Sequence, residues 1–263
     1  MVAIWLATLK GVFRDRVFWG ILVVAGLLLL IPAASTLSMR QVVELSITLS
    51  LSLVSFVLFL LAIFLGAPLL WRDMERRYTY SLLGLPLSRS AYLLGKFAAV
   101  ATFLTLVVLA LAPLIAGIVQ YTVGVYPSAR PVLWSNLALA LGFDLLKYLL
   151  LVALGFLFAS VSTSFFLPIF GTISLFFAAS VSQEVYDYLQ SPAGESLSPF
   201  LHGSATFFYY LIPNLSAFDL KPHAIYGLPI AAGTLGLTLL YWGVYTGIVL
   251  TLAVLLFNRR EMK

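Results

Sequence analysis

The chain has 263 residues, of which 62% are hydrophobic and 10% charged, with a net charge of +5 and no cysteine. Soluble domains carry roughly 25% charged residues, so this composition describes an integral membrane protein with no room for a separate soluble domain. The missing cysteines exclude disulfides, thiolate metal sites and thiol catalysis. The basic excess is not a nucleic-acid signal, because most Lys and Arg residues flank apolar runs on one side.

Residues 1–16 set Ile4, Trp5, Leu9, Val12 and Phe13 among Lys10, Arg14 and Arg16, which predicts an amphipathic helix lying in the membrane interface. The apolar run behind it has ordinary spanning length and no small-residue cleavage pattern, so it does not read as a cleaved signal. That first span is expected at 17–37, with Pro32 near its end, where a kink is tolerated. A short turn holding Met39, Arg40, Gln41 and Glu44 leads to a second span at 45–70. The basic interval 71–96 follows, and then a third span at 97–119. Residues 120–136 are turn-rich and aromatic, as suits an interface, and a fourth span follows at 137–160. After the tight turn SVSTS the fifth span is expected at 165–181. The longest polar interval, 182–227, contains the flexible turn SPAGESLSP. Its Phe207, Phe208, Tyr209 and Tyr210 are too aromatic for a free loop and predict an interfacial or re-entrant helix. The sixth span is expected at 228–257, and no sequence repeat is visible. The expected fold is therefore an all-α polytopic membrane protein of six transmembrane helices in one domain, 1–263.

Charge sets the expected orientation. Of the 15 Lys and Arg residues, 3 fall near the N-terminus, 5 in the 71–96 interval and 3 near the C-terminus, whereas Arg40, Arg130 and Lys221 lie on the other side and Lys147 lies within a span. The positive-inside rule puts both termini and the basic interval in the cytoplasm, which requires an even number of spans.

Within the basic interval, Met74, Tyr78 and Leu82 recur at i, i+4 and i+8, so one side of a short helix is apolar. Glu75, Arg76 and Thr79 take the other side. Gly84 suits the left-handed C′ position after that helix, Pro86 keeps it from resuming, and Ser88 is placed to N-cap the next one. A capped amphipathic helix held between two spans is a docking surface for a soluble partner. The competing reading is a solvated loop whose arginines only fix topology.

Asp144 and Lys147 sit inside the fourth apolar segment at i, i+3, where they share a helix face and can pair. Such a pair either locks the span to a neighbour or belongs to a translocation pathway or gate. His202 and His223, with Asp219 nearby, fit no metal-ligand spacing, so no metal site is expected. A Gly-x-x-x-x-Gly-Lys-Ser/Thr loop is absent, as are a Gly-x-Ser-x-Gly elbow and a His-Glu-x-x-His helix. The chain is accordingly expected to be neither an ATPase nor another enzyme by itself.

The series Glu75, Leu82–Leu83, Pro86, Ser88–Arg89 and Tyr92–Leu93–Leu94–Gly95–Lys96 resembles the cytoplasmic loop of type-2 ATP-binding-cassette exporter permeases, written E…LL…P-x-S-R-x-x-Y-L-L-G-K. The ending Phe257, Arg259, Arg260 and Glu261 and the aromatic segment before the last span are similar too. The NosY-like, copper-enzyme-maturation branch is the nearest likeness. Tyr78–Thr79 stands where family members often carry Gly-Thr, so partner specificity does not carry over.

The resemblance implies that 1–16 is a connecting helix along the inner face. It also implies that Met74, Glu75, Arg76, Tyr78, Leu82, Leu83, Pro86 and Arg89 form a coupling helix and its flank, docked in a groove of a separate ATPase subunit. Residues 183–227 would be outer re-entrant helices capping the path. Two such chains, as a homodimer, and two ATPases would form the exporter, with ATP and Mg bound by the partner and no cofactor in this chain. Two other classes compete. A secondary transporter or channel should show repeat symmetry and paired broken helices. A non-transporting membrane scaffold for an assembly pathway would not need a docking helix.

Overall fold

The computed structural model describes residues 2–14, 19–20, 23, 25–38, 41–66, 68–71, 88–126, 130–192, 194 and 198–259. They form helices and turns, with no strand among them. Helix α1 is Val2–Phe13, and a 3-10 turn at Leu27–Leu30 runs into α2, Ile31–Ser35. Then come α3 (Val42–Leu61), α4 (Arg89–Val125), α5 (Trp134–Val161) and α6 (Phe166–Leu189). Helices α7 (Pro199–Leu211), α8 (Lys221–Tyr226) and α9 (Ala232–Arg259) complete the chain.

Among the described residues, five segments are long and apolar enough to cross a membrane: Val42–Trp71, α4, α5, α6 and α9. The protein is an α-helical polytopic membrane protein. Of the expected first span at 17–37, residues 25–35 are described as helical and several others lie outside the described residues.

The spanning helices alternate in direction, which gives the bundle two distinct ends. Ser46 near the start of α3 meets Thr122 near the end of α4 at 3.3 Å, and Asn136 near the start of α5 reaches the residues after α8. This end carries α7 and α8 and is called the capped end below. At the open end, Trp71 packs on Phe165 between α5 and α6, and Tyr92 near the start of α4 stacks on Phe257 near the end of α9.

Helix α5 is the hub. It packs against α3, α4, α6, α8 and α9, and its buried side includes Leu150, Leu151, Val152, Ala153, Phe156 and Ala159. Lipid tails are as apolar as leucine, so close packing and interhelical hydrogen bonds must hold such a bundle together. Small residues on the facing helices allow that approach: a Cβ added to Gly66 would already stand 3.4 Å from both Val152 methyls. Several hydroxyls within the spans are satisfied locally: Thr105, Thr122, Thr172 and Thr251 each donate to the carbonyl four residues back. Thr102 does so too, and also accepts from Trp5 Nε1 at 3.1 Å, which ties α1 to α4. Phe13 meets Phe103 edge-on one residue further along α4.

Two features differ from the plain reading of the apolar runs. The segment expected at 45–70 is not one even α-helix, because Ala62–Gly66 forms a wider π-type turn. Pro68 explains it: proline has no N–H and its ring would collide with the carbonyl four residues back, so a wider turn absorbs the break. Helix α4 is also longer than the 97–119 expected. At 37 residues it extends about 55 Å, well beyond the ~30 Å hydrocarbon layer. It starts where Ser88 accepts from Ala91 N–H as an N-cap and ends at Tyr126, the residue before a proline.

Candidate functional site

At the open end, residues of the 88–96 stretch converge on two other spans. Arg89 Nη1 donates to the carbonyl of Asn258 in the last turn of α9 at 3.0 Å. One turn on, Tyr92 is buried and stacks on Phe257, with 6.2 Å between ring centroids. One more turn on, Lys96 is buried, lies over the Tyr92 ring at 5.1 Å and donates to Leu69 O at 3.4 Å. Spacing explains the arrangement, since residues three and four apart share a helix face. The last carbonyls of α9 lack partners within their own helix, which makes them natural acceptors for a guanidinium. The chain on both sides of the 72–87 interval is thereby anchored: Leu69 to α4, and α4 to α9. Met74, Glu75, Arg76, Tyr78, Leu82, Leu83 and Pro86 themselves lie outside the described residues.

A second site lies inside the bundle. Lys147 Nζ stands 2.8 Å from Asp144 Oδ1, and both side chains are buried. Oδ1 has no directed hydrogen bond and is held by charge alone. Oδ2 accepts from Ser55 of α3 at 2.5 Å. Ser55 also approaches Leu51 O at 2.9 Å, but it has one proton and the ionised carboxylate is the stronger acceptor. Lys147 Nζ also lies 4.8 Å from the Tyr148 ring centroid. Ser55, Asp144 and Lys147 thus form a polar cluster between α3 and α5.

Helix α8 places a further charge within electrostatic range of this cluster. It packs against α3 and α5, and its first residue is Lys221. Burial lowers the Lys221 ammonium below the ordinary lysine range; Asp144 opposes that shift, Lys147 adds to it, and Asp219 opposes it. Asp219 Oδ1 also accepts the Lys221 backbone N–H at 3.1 Å, an Asx turn that leads into the helix. At the other end of α8, Asn136 of α5 donates to the carbonyls of both His223 and Leu228, at 3.0 and 2.9 Å. Gly227 between them has φ +62°, the left-handed conformation that ends a helix at low cost only for glycine. The 198–227 segment is therefore pinned to α5 at the C-terminal end of α8.

Its other half is fastened to α6 and α9. Ser198 caps α7, and Tyr209 near the end of α7 stacks on Tyr186 of α6 at 4.1 Å. Gln183 Oε1 accepts from both Tyr209 Oη and Asn214 Nδ2, at 2.9 and 2.6 Å, while Gln183 Nε2 donates to Asp187. Asn214 N–H donates to Tyr241 Oη, and Tyr245 Oη donates to Leu211 O, which joins the turn after α7 to α9. Sequence reading singled out the aromatic run but missed Gln183 and Asn214, whose polarity inside an interfacial stretch was the available signal.

His202 lies on α7 and His223 on α8, and among the described residues no three His, Cys, Asp or Glu side chains come together as a metal site. Chemically, the described residues offer a buried charge cluster and a stitched cap at one end, and a clamp beneath a polar interval at the other. Comparison with protein-family models and with curated proteins finds no match to this chain.

Proposed function

We propose that this chain is the membrane-spanning permease subunit of an ATP-binding-cassette exporter, driven by ATP hydrolysed on a separate subunit. The observation that carries the reading is the clamp around the 72–87 interval. Lys96 holds the end of the α3 segment at Leu69, and Arg89 with Tyr92 holds the end of α9. A polar interval with a rigid base passes a push to three spans at once, whereas a topology loop needs no such base. The motif residues Arg89, Tyr92 and Lys96 that resemble the exporter loop are the ones that build it.

In this reading residues 17–37 supply the first of six spans, α1 is an interfacial connecting helix, and the open end faces the cytoplasm. The 198–227 segment caps the path on the outside. Two permease chains form a homodimer in a bacterial or archaeal cytoplasmic membrane, and ATP and Mg sit on the partner. Co-expression with an ATP-binding-cassette subunit should give a complex that survives purification, with hydrolysis in the complex and none by the permease alone. Saturable ATP hydrolysis by a homogeneous preparation of this chain alone would overturn the assignment.

Orientation has its own test, motivated by the 11 Lys and Arg residues counted toward one side against 3 toward the other. Cysteines introduced at Ser81 and Lys263 should react with a membrane-impermeant thiol reagent only from the cytoplasmic side, and one at Ser196 only from outside. Labelling of Ser81 and Ser196 from the same side would break the six-span topology.

A further inference from the structure

Between the turn that follows α7 and the first half of α9 lies a cleft of about 360 Å³. That is within the ~300–1,000 Å³ range of small-molecule sites. Four tyrosines line it, Tyr209 and Tyr210 from α7 and Tyr241 and Tyr245 from α9, together with the apolar Ile212 and Leu237. The rings stand close: Tyr209 and Tyr210 have centroids 5.3 Å apart at 73°, and Tyr241 and Tyr245 are 5.6 Å apart at 47°. No described Lys or Arg is among the lining residues.

The hydrogen bonding makes two of these rings, Tyr209 and Tyr245, electron-rich. Tyr209 gives its proton to Gln183, whose amide nitrogen donates to the Asp187 carboxylate, so a negative charge stands one amide behind the ring. Tyr245 likewise gives its proton to the Leu211 carbonyl. A phenol that donates its proton carries more negative charge on oxygen and ring, and the face of such a ring attracts cations. A ring of tyrosines with a carboxylate behind it and an apolar flank favours an onium head on an alkyl chain. An anionic ligand would meet the same groups with repulsion.

We propose that this cleft binds an alkyl quaternary ammonium cation, with the tyrosine rings around the onium head and the Ile212 and Leu237 flank along the chain. Such a head belongs equally to a choline phospholipid and to a free amphiphilic cation. The site does not depend on the permease assignment, because the test reads binding to the purified chain.

The probe is octyltrimethylammonium, titrated calorimetrically into the full chain in maltoside detergent, with octanol and octyl sulfate as neutral and anionic comparators. Saturable binding of one cation per chain is expected, with both comparators at least tenfold weaker. Tyr210→Leu and Tyr241→Leu should each weaken the cation at least tenfold, whereas Tyr210→Phe and Tyr241→Phe, which keep the rings, should stay within about threefold. Octanol binding as tightly as the cation would overturn the proposal, as would equal losses in the Leu and Phe variants. The two sources separate in nanodiscs. If choline lipid discs block the probe and phosphatidylglycerol discs admit it, the occupant is a choline lipid. If both admit it, the occupant is a free cation. Absence of saturable binding in both kinds of disc and in detergent would sink the site.

Discussion

Asp144→Asn should cost the folded protein about 3–5 kcal/mol, the range for breaking a buried ion pair by removing one partner. The value should fall toward the lower end, because a chain unfolded within a bilayer also finds polar partners. The loss is unequal between the partners. Without Asp144, Lys147 keeps only the Tyr148 ring at 4.8 Å and the repulsion of Lys221. Without Lys147, Asp144 keeps the Ser55 hydrogen bond and the attraction of Lys221. Lys147→Met should therefore destabilise less than Asp144→Asn. The double variant Asp144→Asn with Lys147→Met should recover much of the loss, since one favourable and one unfavourable influence on Lys221 leave together. Unfolding midpoints of the purified variants in a denaturing-detergent titration measure all three. If every variant folds as well as the parent while transport fails in the single and double variants alike, the pair belongs to the translocation pathway and is no lock.

What could be read from the chain and what could not divide along sequence separation. Asp144 and Lys147 are three residues apart, so helix geometry alone put them on one face. Ser55 is 89 residues from Asp144, and no periodicity reports that contact. Lys221 shows the limit most plainly. By sequence it is one more charge in a polar interval, yet α8 folds back between α3 and α5 and carries it to the buried pair. The spans were legible because about 20 apolar residues in a row have few other solutions. Their details were not: the π-type turn answers Pro68, and the extra length of α4 depends on the absence of any breaker between Gln120 and Val125 that outweighs helix propagation. The cap depended on side chains that match across elements, Gln183 with Asn214 and Asn136 with the carbonyls beyond α8, and each polar residue read alone is only interfacial.

If the chain is the proposed exporter permease, Leu82→Asp should abolish copurification with the ATPase and silence transport while leaving the chain inserted and its spans intact. Met74, Tyr78 and Leu82 lie on one side of the helix expected between two spans, and an exposed apolar stripe in water needs a groove to cover it. If that stripe fills the groove, Tyr78→Ala and Leu82→Ala should behave as interface hot spots, each weakening the complex by about 2 kcal/mol. Glu75 and Arg76 are then expected at the rim, where charge reversal should change association rate and salt dependence more than final affinity. A carboxylate at position 82 is more severe than truncation, because it must be desolvated in the groove without a partner. The fold should tolerate it, since the clamp of Arg89, Tyr92 and Lys96 holds the spans together without help from position 82. Thermal stability of the variant close to that of the parent, together with loss of the complex, is the expected outcome. A complex that forms normally and transports normally would mean that the apolar stripe rests on lipid, and the route by which the partner drives this chain would have to be sought elsewhere.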